Sequence, residues 1–290
     1  MRIYLAGENG KKRWLEPSLR YLAEIERERV NEARRGTSDQ DIHRSDMPSR
    51  GRSLLLHDSD QVGFDVASRV NTLEAFYYVA DWQTRNLHRF KSFMLDSGAF
   101  TFAYGSGAEV DWDDYLERYI NYIVENDVRL FFELDIDKLV GYGKVLEYRK
   151  RLEDGTGKKC IPVWHMNRGR EDWLKTCDEY GYIALGGLAA KEFGNQERVI
   201  PWFTKTAHER GCKVHGLGYT KLPFLARMGF DSVDSSAWLY GNIGGFIYRY
   251  RGGYRMDRVK APEGKRLEAE KAARHNFMEW VRLSEELEKL

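Results

Sequence analysis

Short apolar runs, each only a few residues long, recur along the chain and are separated by longer amphipathic stretches. They lie at 3–7, 74–80, 92–95, 130–137, 160–165, 182–185, 213–218 and 229–238, and each run predicts a strand. Apolar residues between them recur at helical spacing, as in Tyr115, Tyr119 and Ile123 behind the N-cap candidate Asp111. The pattern predicts helices at 111–126, 143–153, 170–180 and 221–228, and one more helix with Pro201 in its first turn.

Alternation of strands and helices predicts a parallel sheet, and eight strands in 290 residues favour a closed barrel. The predicted fold class is α/β, a TIM-like (β/α)8 barrel over residues 1–290 as a single domain, with a C-terminal helix and a basic-aromatic insertion. An open doubly wound sheet is the alternative, although no GxGxxG motif follows the first strand.

Three further segments do not fit the repeating pattern. Residues 12–35 predict a charged helix, and residues 36–51, which contain few apolar positions, predict an exposed loop. Residues 264–290 predict a Glu/Lys/Arg/Leu-rich helix. It would dock on the barrel by one apolar stripe, formed by Phe277, Trp280, Val281 and Leu287.

Composition narrows the function classes. The 46 Lys and Arg balance the 45 Asp and Glu, so nucleic-acid binding would depend on local patches rather than a global field. Cys160, Cys177 and Cys212 show no CxxC spacing, which favours a reducing compartment. No apolar run is long enough for a membrane span and no signal peptide is recognisable, so we expect a cytoplasmic protein that does not bind a membrane.

Polar residues and glycines stand where predicted strands give way to loops. They are Asp96, Asp135, His165, Gly186, Gly187, His215 and Asp234. The carboxyl ends of barrel strands converge on one mouth, so we expect these residues to meet there. Several carboxylates at one mouth suit chemistry at a sugar C1′, where one attacks and another moves a proton.

Each of these residues also has an interpretation that requires no catalysis. Asp234, which shares a strand face with Ser232, could instead cap a helix from a solvated loop. His165 and His215 could orient a substrate or shuttle protons, or be hydrogen-bonded core residues. Glu133 could form an inward-facing ion pair below the site.

A metal centre is the competing chemistry, since Asp and His at strand ends can hold zinc or iron. The sequence contains no HxH or HxxxH pair, and His165 and His215 lie on different predicted strands. We therefore expect neither a metal nor another cofactor.

The segment 242–262 interleaves aromatic and cationic residues. Its candidates for phosphate contacts and base stacking are Tyr248, Arg249, Tyr250, Arg251, Arg255 and Arg258. The segment could equally be a β-hairpin with a basic outer face. Its expected place beside the barrel mouth favours nucleic-acid binding.

Three motifs, in this order, resemble those of the tRNA-guanine transglycosylase superfamily. Asp96-Ser97-Gly98-Ala99-Phe100 is similar to the family's Asp-Ser-Gly-Gly-Phe/Tyr motif, and Gly186-Gly187-Leu188-Ala189 resembles its Gly-Gly-Leu-Ala loop. Ser232-Val233-Asp234-Ser235 lies where the family carries its nucleophilic aspartate. The resemblance spans about 92–240 and looks closest to the phage-type proteins that insert 7-deazaguanines into DNA.

The resemblance implies a guanine exchange on a TIM barrel without a cofactor. Asp234 would attack C1′ and form a covalent intermediate, and Asp96 would act as general acid and base. The substrate base would contact Asp135, Ser97, Gly98, His165, His215 and the backbone of Gly186, Gly187 and Leu188. The incoming base would be a free 7-deazaguanine such as preQ0 or preQ1.

Two departures affect the expected polymer. The tRNA enzymes carry a C-terminal zinc site of three cysteines and a histidine, and none of the cysteines of this chain is placed to form one. His165 stands where those enzymes place a base-reading Gln. We therefore expect DNA as the substrate, in a host cytoplasm if the gene belongs to a phage. The alternatives are a tRNA enzyme, an N-glycosidase that uses water, and an inactive nucleic-acid-binding barrel; whether the chain forms a homodimer is left open.

Overall fold

A computed structural model describes residues 1–7, 69–98, 110–189, 193–194, 196–261 and 267–290. The predicted helix over 12–35, the predicted loop over 36–51, and Ala99 and Phe100 of the first motif lie outside the described residues.

Seven strands form one curled parallel sheet in the order β3-β2-β1-β7-β6-β5-β4. They are β1 (Arg2–Ala6), β2 (Asn71–Ala75), β3 (Ser92–Asp96), β4 (Val163–Trp164), β5 (Tyr182–Leu185), β6 (Lys213–Gly216) and β7 (Ser232–Ser235). The first strand pairs with the last, Tyr4 opposite Asp234. The fold is therefore α/β with a half-barrel sheet, consistent with a partial TIM-like barrel.

The strand predicted at 130–137 is reduced to two isolated parallel bridges. Phe131 pairs with Leu95 of β3, and Phe132 pairs with Ile161 just before β4. The Phe132 amide donates to the Leu95 carbonyl at 3.0 Å, and the Ile161 amide donates to the Phe131 carbonyl at 2.8 Å. This segment thus hydrogen-bonds to both edges of the seven-stranded sheet, and the chain turns helical at Asp137.

Helices follow most strands. They are α1 (Asp81–Asn86), α2 (Trp112–Glu125), α3 (Asp137–Val140), α4 (Tyr142–Thr156), α5 (Gly169–Glu179), α6 (Gln196–His208), α7 (Leu222–Met228), α8 (Tyr240–Gly244) and α9 (Ala269–Lys289). The predicted cap of α2 is confirmed, because the Asp111 carboxylate accepts from the amides of Asp113 and Asp114 at 3.1 Å.

Two predicted boundaries are wrong. Pro201 lies inside α6 rather than in its first turn. Its helix keeps its place because Ile200 and Phe203 beside it are fully buried in the core. The second strand ends at Ala75, and residues 76–78 form a turn instead of continuing the strand to residue 80.

The predicted C-terminal helix exists as α9, although it begins later than residue 264. Its stripe of Phe277, Trp280, Val281 and Leu287 is buried, as predicted. α9 lies against β1, where the Ser284 hydroxyl donates to the Ile3 carbonyl at 3.1 Å. Among the helices of the described residues, none combines the length and apolar character needed to span a membrane.

The concave side of the curled sheet is filled rather than hollow. A buried cluster contributed by neighbouring strands occupies it, formed by Tyr4, Leu73, Met94, Phe132, Ile161, Val163 and Ala184. Asp96, Asp135 and His165, which the sequence singled out, follow these apolar residues towards the carboxyl ends of the same segments.

Candidate active site

Three carboxylates come together at the carboxyl ends of the strands. Asp96 is the last residue of β3, Asp135 follows the bridged segment, and Asp234 is the third residue of β7. Burial, and then the nearby charges of Asp135 and Asp234, raise the pKa of Asp96 to about 7, although the amides of Ser97 and Gly98 donate to it and act in the opposite direction. Asp96 can therefore both hold and release a proton near neutral pH.

The turn after Asp96 requires glycine at position 98. Gly98 has φ +77°, and a Cβ there would lie 3.0 Å from Cβ of Tyr77 and 3.3 Å from the Tyr115 hydroxyl oxygen. The Tyr115 hydroxyl donates to the Ser97 carbonyl at 2.6 Å, and Ser97 is fully buried. Ser97 and Gly98 therefore form a rigid support for the Asp96 carboxylate.

The Asp234 carboxylate is fixed by hydrogen bonds and does not cap a helix. Its Oδ1 accepts from the Gly218 amide at 2.6 Å and from His215 Nε2 at 3.3 Å. Its side chain is 13% exposed, and the short 3-10 helix after β7 begins beyond Ser236 without using it. Gly218 supplies its amide from a turn with φ +66°, just beyond β6.

His215 lies beneath Asp234 rather than at the substrate position expected from the sequence. Its ring is 0% exposed and packs beside the rings of Tyr4 and Phe132. Nδ1 is 2.5 Å from the Ser232 hydroxyl oxygen, and Nε2 faces Asp234. In this structure the His215 side chain contacts Asp234 and exposes no surface to a base, and its role in binding a base stays a prediction.

His165 and Asp135 form a pair at the mouth. His165 Nε2 donates to Asp135 Oδ1 at 2.7 Å, and solvent reaches a quarter of the Asp135 side chain. Burial lowers the pKa of His165, but the hydrogen bond and charge of Asp135, with Asp137 behind, outweigh burial and raise it to about 9. His165 therefore carries a positive charge at neutral pH, next to the carboxylate that was predicted to read the base.

The glycine loop after β5 lies directly against this pair. A Cβ on Gly186 would meet His165 Cε1 at 2.7 Å, so only glycine admits the imidazole here. Gly187 adopts φ +71°, and the Leu188 side chain is buried in the core. The backbone of this loop therefore packs directly against the His165 ring.

Asp137 joins Asp135 and His165 in a group whose ligand atoms lie within 4.8 Å of one another. Asp137 was not among the candidate ligands predicted from the sequence. A pocket of about 400 Å³ adjoins the group, with Lys138, Met166 and Asn167 among its lining residues. These three donors are enough in number to hold a cation.

Two cationic side chains compete with a metal at this group. The Arg168 guanidinium lies 3.2 Å from the Asp137 carboxylate, and His165 is charged and bonded to Asp135. A metal would displace both contacts. The group therefore fits an internally neutralised network better than a metal centre.

Glu133 forms an ion pair, as one interpretation of the sequence had it, but the pair does not face inward. Arg149 of α4 donates to Glu133 at 2.6 Å, and the Val163 amide donates to its other oxygen at 2.7 Å. Glu133 and Arg149 are buried. The pair thus ties α4 to the sheet.

The basic-aromatic segment is an antiparallel hairpin of β8 (Phe246–Tyr250) and β9 (Met256–Lys260). Tyr248 is 3% exposed and packs edge-on against Trp280, so its ring is covered on this structure. Tyr250 is half-buried. The cations Arg249, Arg251, Arg255 and Arg258 are exposed, with Arg251 in an ion pair with Asp257 at 2.7 Å.

The hairpin runs away from the mouth. The Tyr248 amide donates to Asn276 of α9, and the Tyr250 amide donates to Glu279 one turn further on. α9 then continues to Leu287, whose carbonyl accepts from the amino group of Met1 at the start of β1. The turn at 251–255 therefore lies towards the opposite end of the sheet, and the structure does not bring Arg251 or Arg255 to the carboxylates.

Tyr77 and Tyr78 lie at the mouth, although the sequence analysis placed them in a strand. They are 51% and 46% exposed, and their rings stand nearly perpendicular with centroids 4.9 Å apart. The Phe76 amide beside them donates to the Asp96 carbonyl at 2.8 Å. The sequence signal, a Tyr-Tyr pair after a short apolar run, is too common to be specific.

The three family-like motifs thus meet at one end of the sheet, carried by Asp96 to Gly98, by Gly186 to Leu188, and by Asp234. Comparison with models of known protein families gave no match, and a search of curated proteins found none with a similar sequence.

Proposed function

We propose that this protein exchanges guanine in DNA for a free 7-deazaguanine of the preQ0 or preQ1 type. The observation that carries the proposal is the difference between two neighbouring carboxyl groups. Asp96 has a pKa raised to about 7, whereas two N–H groups hold Asp234 by one oxygen. Two carboxyl groups in such different surroundings suit an acid/base and a nucleophile, respectively.

In the first step, Asp234 attacks C1′ of the target nucleoside and the C1′–N9 bond breaks. Both hydrogen bonds to Asp234 end on Oδ1, so Oδ2 is the attacking oxygen. The departing guanine takes the bonding electron pair and a proton from Asp96. In the second step, Asp96 removes the N9 proton of the incoming base, which attacks C1′ and releases Asp234. Two displacements retain the β configuration.

Base recognition falls to the pair at the mouth. Guanine presents N–H donors on one part of its pairing edge and the O6 acceptor beside them. Asp135 offers a carboxylate acceptor to the N–H donors, and the positive charge of His165 beside it would favour the O6 acceptor. The backbone of Gly187 and Leu188 would contact the base alongside.

We also infer that the sheet closes into an eight-stranded barrel. Residues 130–133 hydrogen-bond to Leu95 on one side and Ile161 on the other, and so fill the gap between the two edge strands. A closed barrel would place Asp135 on the eighth strand, facing Asp96 and Asp234 across one mouth.

DNA is the polymer that we favour. The three cysteines are buried and free; Cys177 lies against Cys212 in one core cluster and Cys160 lies in another, so the three do not meet as the zinc site of the tRNA enzymes would require. The target nucleotide must be flipped out of a duplex or met in a single strand, because C1′ chemistry requires access to a base outside the stack. Tyr77 and Tyr78 lie where an unstacked neighbouring base would find aromatic surface.

The test is incorporation of radiolabelled preQ0 into DNA, single-stranded and duplex, and into unmodified tRNA in parallel. We expect label in DNA with the wild type, neither label nor a denaturant-stable protein–DNA adduct with Asp234→Asn, and normal activity with the exposed control Asp178→Asn.

Each of the other outcomes would contradict a different part of the proposal. Exchange at the wild-type rate by Asp234→Asn would refute the nucleophile. Label in tRNA alone would refute the polymer. Guanine release and abasic sites without any deazaguanine would indicate a hydrolase, and nucleic-acid binding without chemistry would indicate an inactive barrel.

A further inference from the structure

We propose that Tyr182, Ser232 and His215 form a directional hydrogen-bond chain that fixes the tautomer of His215 and thereby positions Asp234. The role of this chain in catalysis rests on the proposed function, since it requires Asp234 to be the nucleophile. The order of donors and acceptors in the chain does not depend on that proposal.

The chain is continuous, and its central members are shielded from solvent. The Tyr182 hydroxyl is 2.5 Å from the Ser232 hydroxyl, which is 2.5 Å from His215 Nδ1. His215 Nε2 is 3.3 Å from Asp234 Oδ1. Ser232 and His215 are fully buried, so water does not compete for their hydrogen bonds.

Strand register brings these groups together. His215 lies opposite Ser232 in the pairing of β6 and β7, and Tyr182 begins β5 on the other side of β6. Ser232 and Asp234 are two residues apart on β7 and therefore project from the same face. Their hydroxyl and carboxylate can thus bind the two nitrogens of one imidazole.

The direction of each hydrogen bond follows from the carboxylate end. Oδ1 of Asp234 already accepts from the Gly218 amide, so it is an acceptor, and His215 must present N–H at Nε2. In the proposed tautomer, with hydrogen on Nε2 alone, the imidazole accepts at Nδ1 and Ser232 donates to it. The Ser232 oxygen is then left to accept from the Tyr182 hydroxyl. Burial raises the pKa of Tyr182, so its phenol keeps the proton that it donates.

This arrangement has a chemical consequence for the nucleophile. Two N–H donors on Oδ1 fix the plane of the carboxylate and leave Oδ2 for the sugar. When the incoming base displaces the enzyme, negative charge returns to Asp234, and the same donors stabilise it without rearrangement. Tyr182 and Ser232 touch neither sugar nor base in this scheme and are positioning residues.

The test is the tautomer of His215, read from its side-chain nitrogen shifts in the full-length protein labelled with ¹⁵N-histidine, with His215→Gln to assign the signals. Tyr182→Phe and Ser232→Ala are compared with Tyr4→Phe, an interior tyrosine on a neighbouring strand that hydrogen-bonds to Ser92 instead. kcat and KM for base exchange are measured on the same samples.

We expect an Nε2–H tautomer in the wild type and in Tyr4→Phe, and a mixed tautomer in Ser232→Ala. Exchange by Ser232→Ala should show about a tenfold lower kcat, the effect of one lost hydrogen bond in the transition state, with KM unchanged. Tyr182→Phe should also give a mixed tautomer and a lower kcat, but each change should be smaller than in Ser232→Ala. Tyr4→Phe should change neither.

Two results would overturn the chain. One is a wild-type His215 that carries its hydrogen on Nδ1 or on both nitrogens. The other is an unaltered tautomer in both variants of the chain. If the tautomers behave as expected but the wild type exchanges no base in any polymer, the proposed function fails and the positioning role fails with it. Base exchange by a protein whose His215 has the wrong tautomer would refute the chain alone.

Discussion

Replacing Asp96 with asparagine should stabilise the protein, and more so at higher pH. The Asp96 carboxyl is partly buried near Asp135 and Asp234, and these surroundings penalise its charged form. Its pKa rises from an ordinary value of 3.8 to about 7 on folding. Between these two values the native state binds the proton more tightly than the unfolded state. Stability is therefore lost progressively as the pH rises from 3.8 to 7, and the loss is complete above 7.

The size of the loss follows from the pKa change. A rise from 3.8 to about 7 corresponds to about 4 kcal/mol at pH 8. Solvent reaches part of the side chain, and screening reduces the figure to about 2 kcal/mol. Asp96→Asn removes the charge and should recover this amount at pH 8, but less than about 1 kcal/mol at pH 5. The expected increase in Tm at pH 8 is about 3 °C.

The assay is urea unfolding at pH 5 and pH 8, supported by calorimetry, for the wild type, Asp96→Asn and the exposed control Asp154→Asn. The control loses only a surface ion pair with Lys150 and should change stability by less than about 1 kcal/mol at both pH values. An Asp96→Asn variant that is no more stable than the wild type at pH 8, or whose gain is the same at both pH values, would refute the raised pKa. It would also remove the observation that carries the proposed function.

Three further predictions concern the residues around the carboxylates. Glu133→Gln leaves a buried arginine without its carboxylate and should lower the free energy of unfolding by about 3–5 kcal/mol; urea unfolding measures this, and a loss below about 1 kcal/mol would contradict it. Asp135→Asn should lower the pKa of His165 from about 9 towards 6.5, because it removes the negative charge that favours the protonated ring; an NMR titration that still gives about 9 would assign the shift to other charges. Because the pKa of His165 is raised on folding, the pair with Asp135 stabilises the fold fully below pH 6.5, and this stabilisation is lost as the pH rises through 9. Asp135→Asn should therefore be less stable than the wild type below pH 6.5 and equally stable above pH 9. Gly186→Ala puts a methyl group 2.7 Å from the His165 ring and should weaken guanine binding measured by calorimetry. The control Gly181→Ala, where a Cβ would meet no atom within 4 Å, should bind guanine as the wild type does. Equal affinities in the two variants would exclude a tight fit between Gly186 and the His165 ring.

The regular part of the fold could be predicted from the sequence because its signals are local. The stretch after Asp111 shows both a cap and an amphipathic stripe, and α2 lies where they predict it. Residues 130–137 show the limit of such signals. Their apolar run predicted a full strand, but only Phe131 and Phe132 pair, since Asp137 already begins α3.

Part of the candidate site could be predicted from the sequence, because residues at the carboxyl ends of parallel strands lie close together. Asp96, Asp135 and Asp234 could be grouped because parallel strands deliver their carboxyl ends to one edge. The depth of a side chain could not be predicted in this way. His165 and His215 follow similar apolar runs and both are buried, yet His165 borders a pocket at the mouth whereas the ring of His215 is 0% exposed. The stagger between strands that causes this difference cannot be read from a single sequence.

The predicted nucleic-acid surface shows a similar limit. Alternating aromatic and cationic residues identify a strand with two faces, and β8 is such a strand. The sequence could not show that α9 would cover the face of Tyr248, or that the hairpin would run along α9 away from the mouth. Both facts depend on contacts between segments about 30 residues apart.

The pairing of β1 with β7 affects how the chain acquires its fold during synthesis. Tyr4 emerges early from the ribosome, but its partner Asp234 emerges only after most of the chain. α9, which donates a hydrogen bond to the same strand, follows later still. Contacts over such separations slow folding, so the meeting of the first and last strands should be a late event. Because Asp234 is itself on β7, an unfinished chain cannot assemble the three carboxylates, and the candidate site comes into being only with the complete sheet.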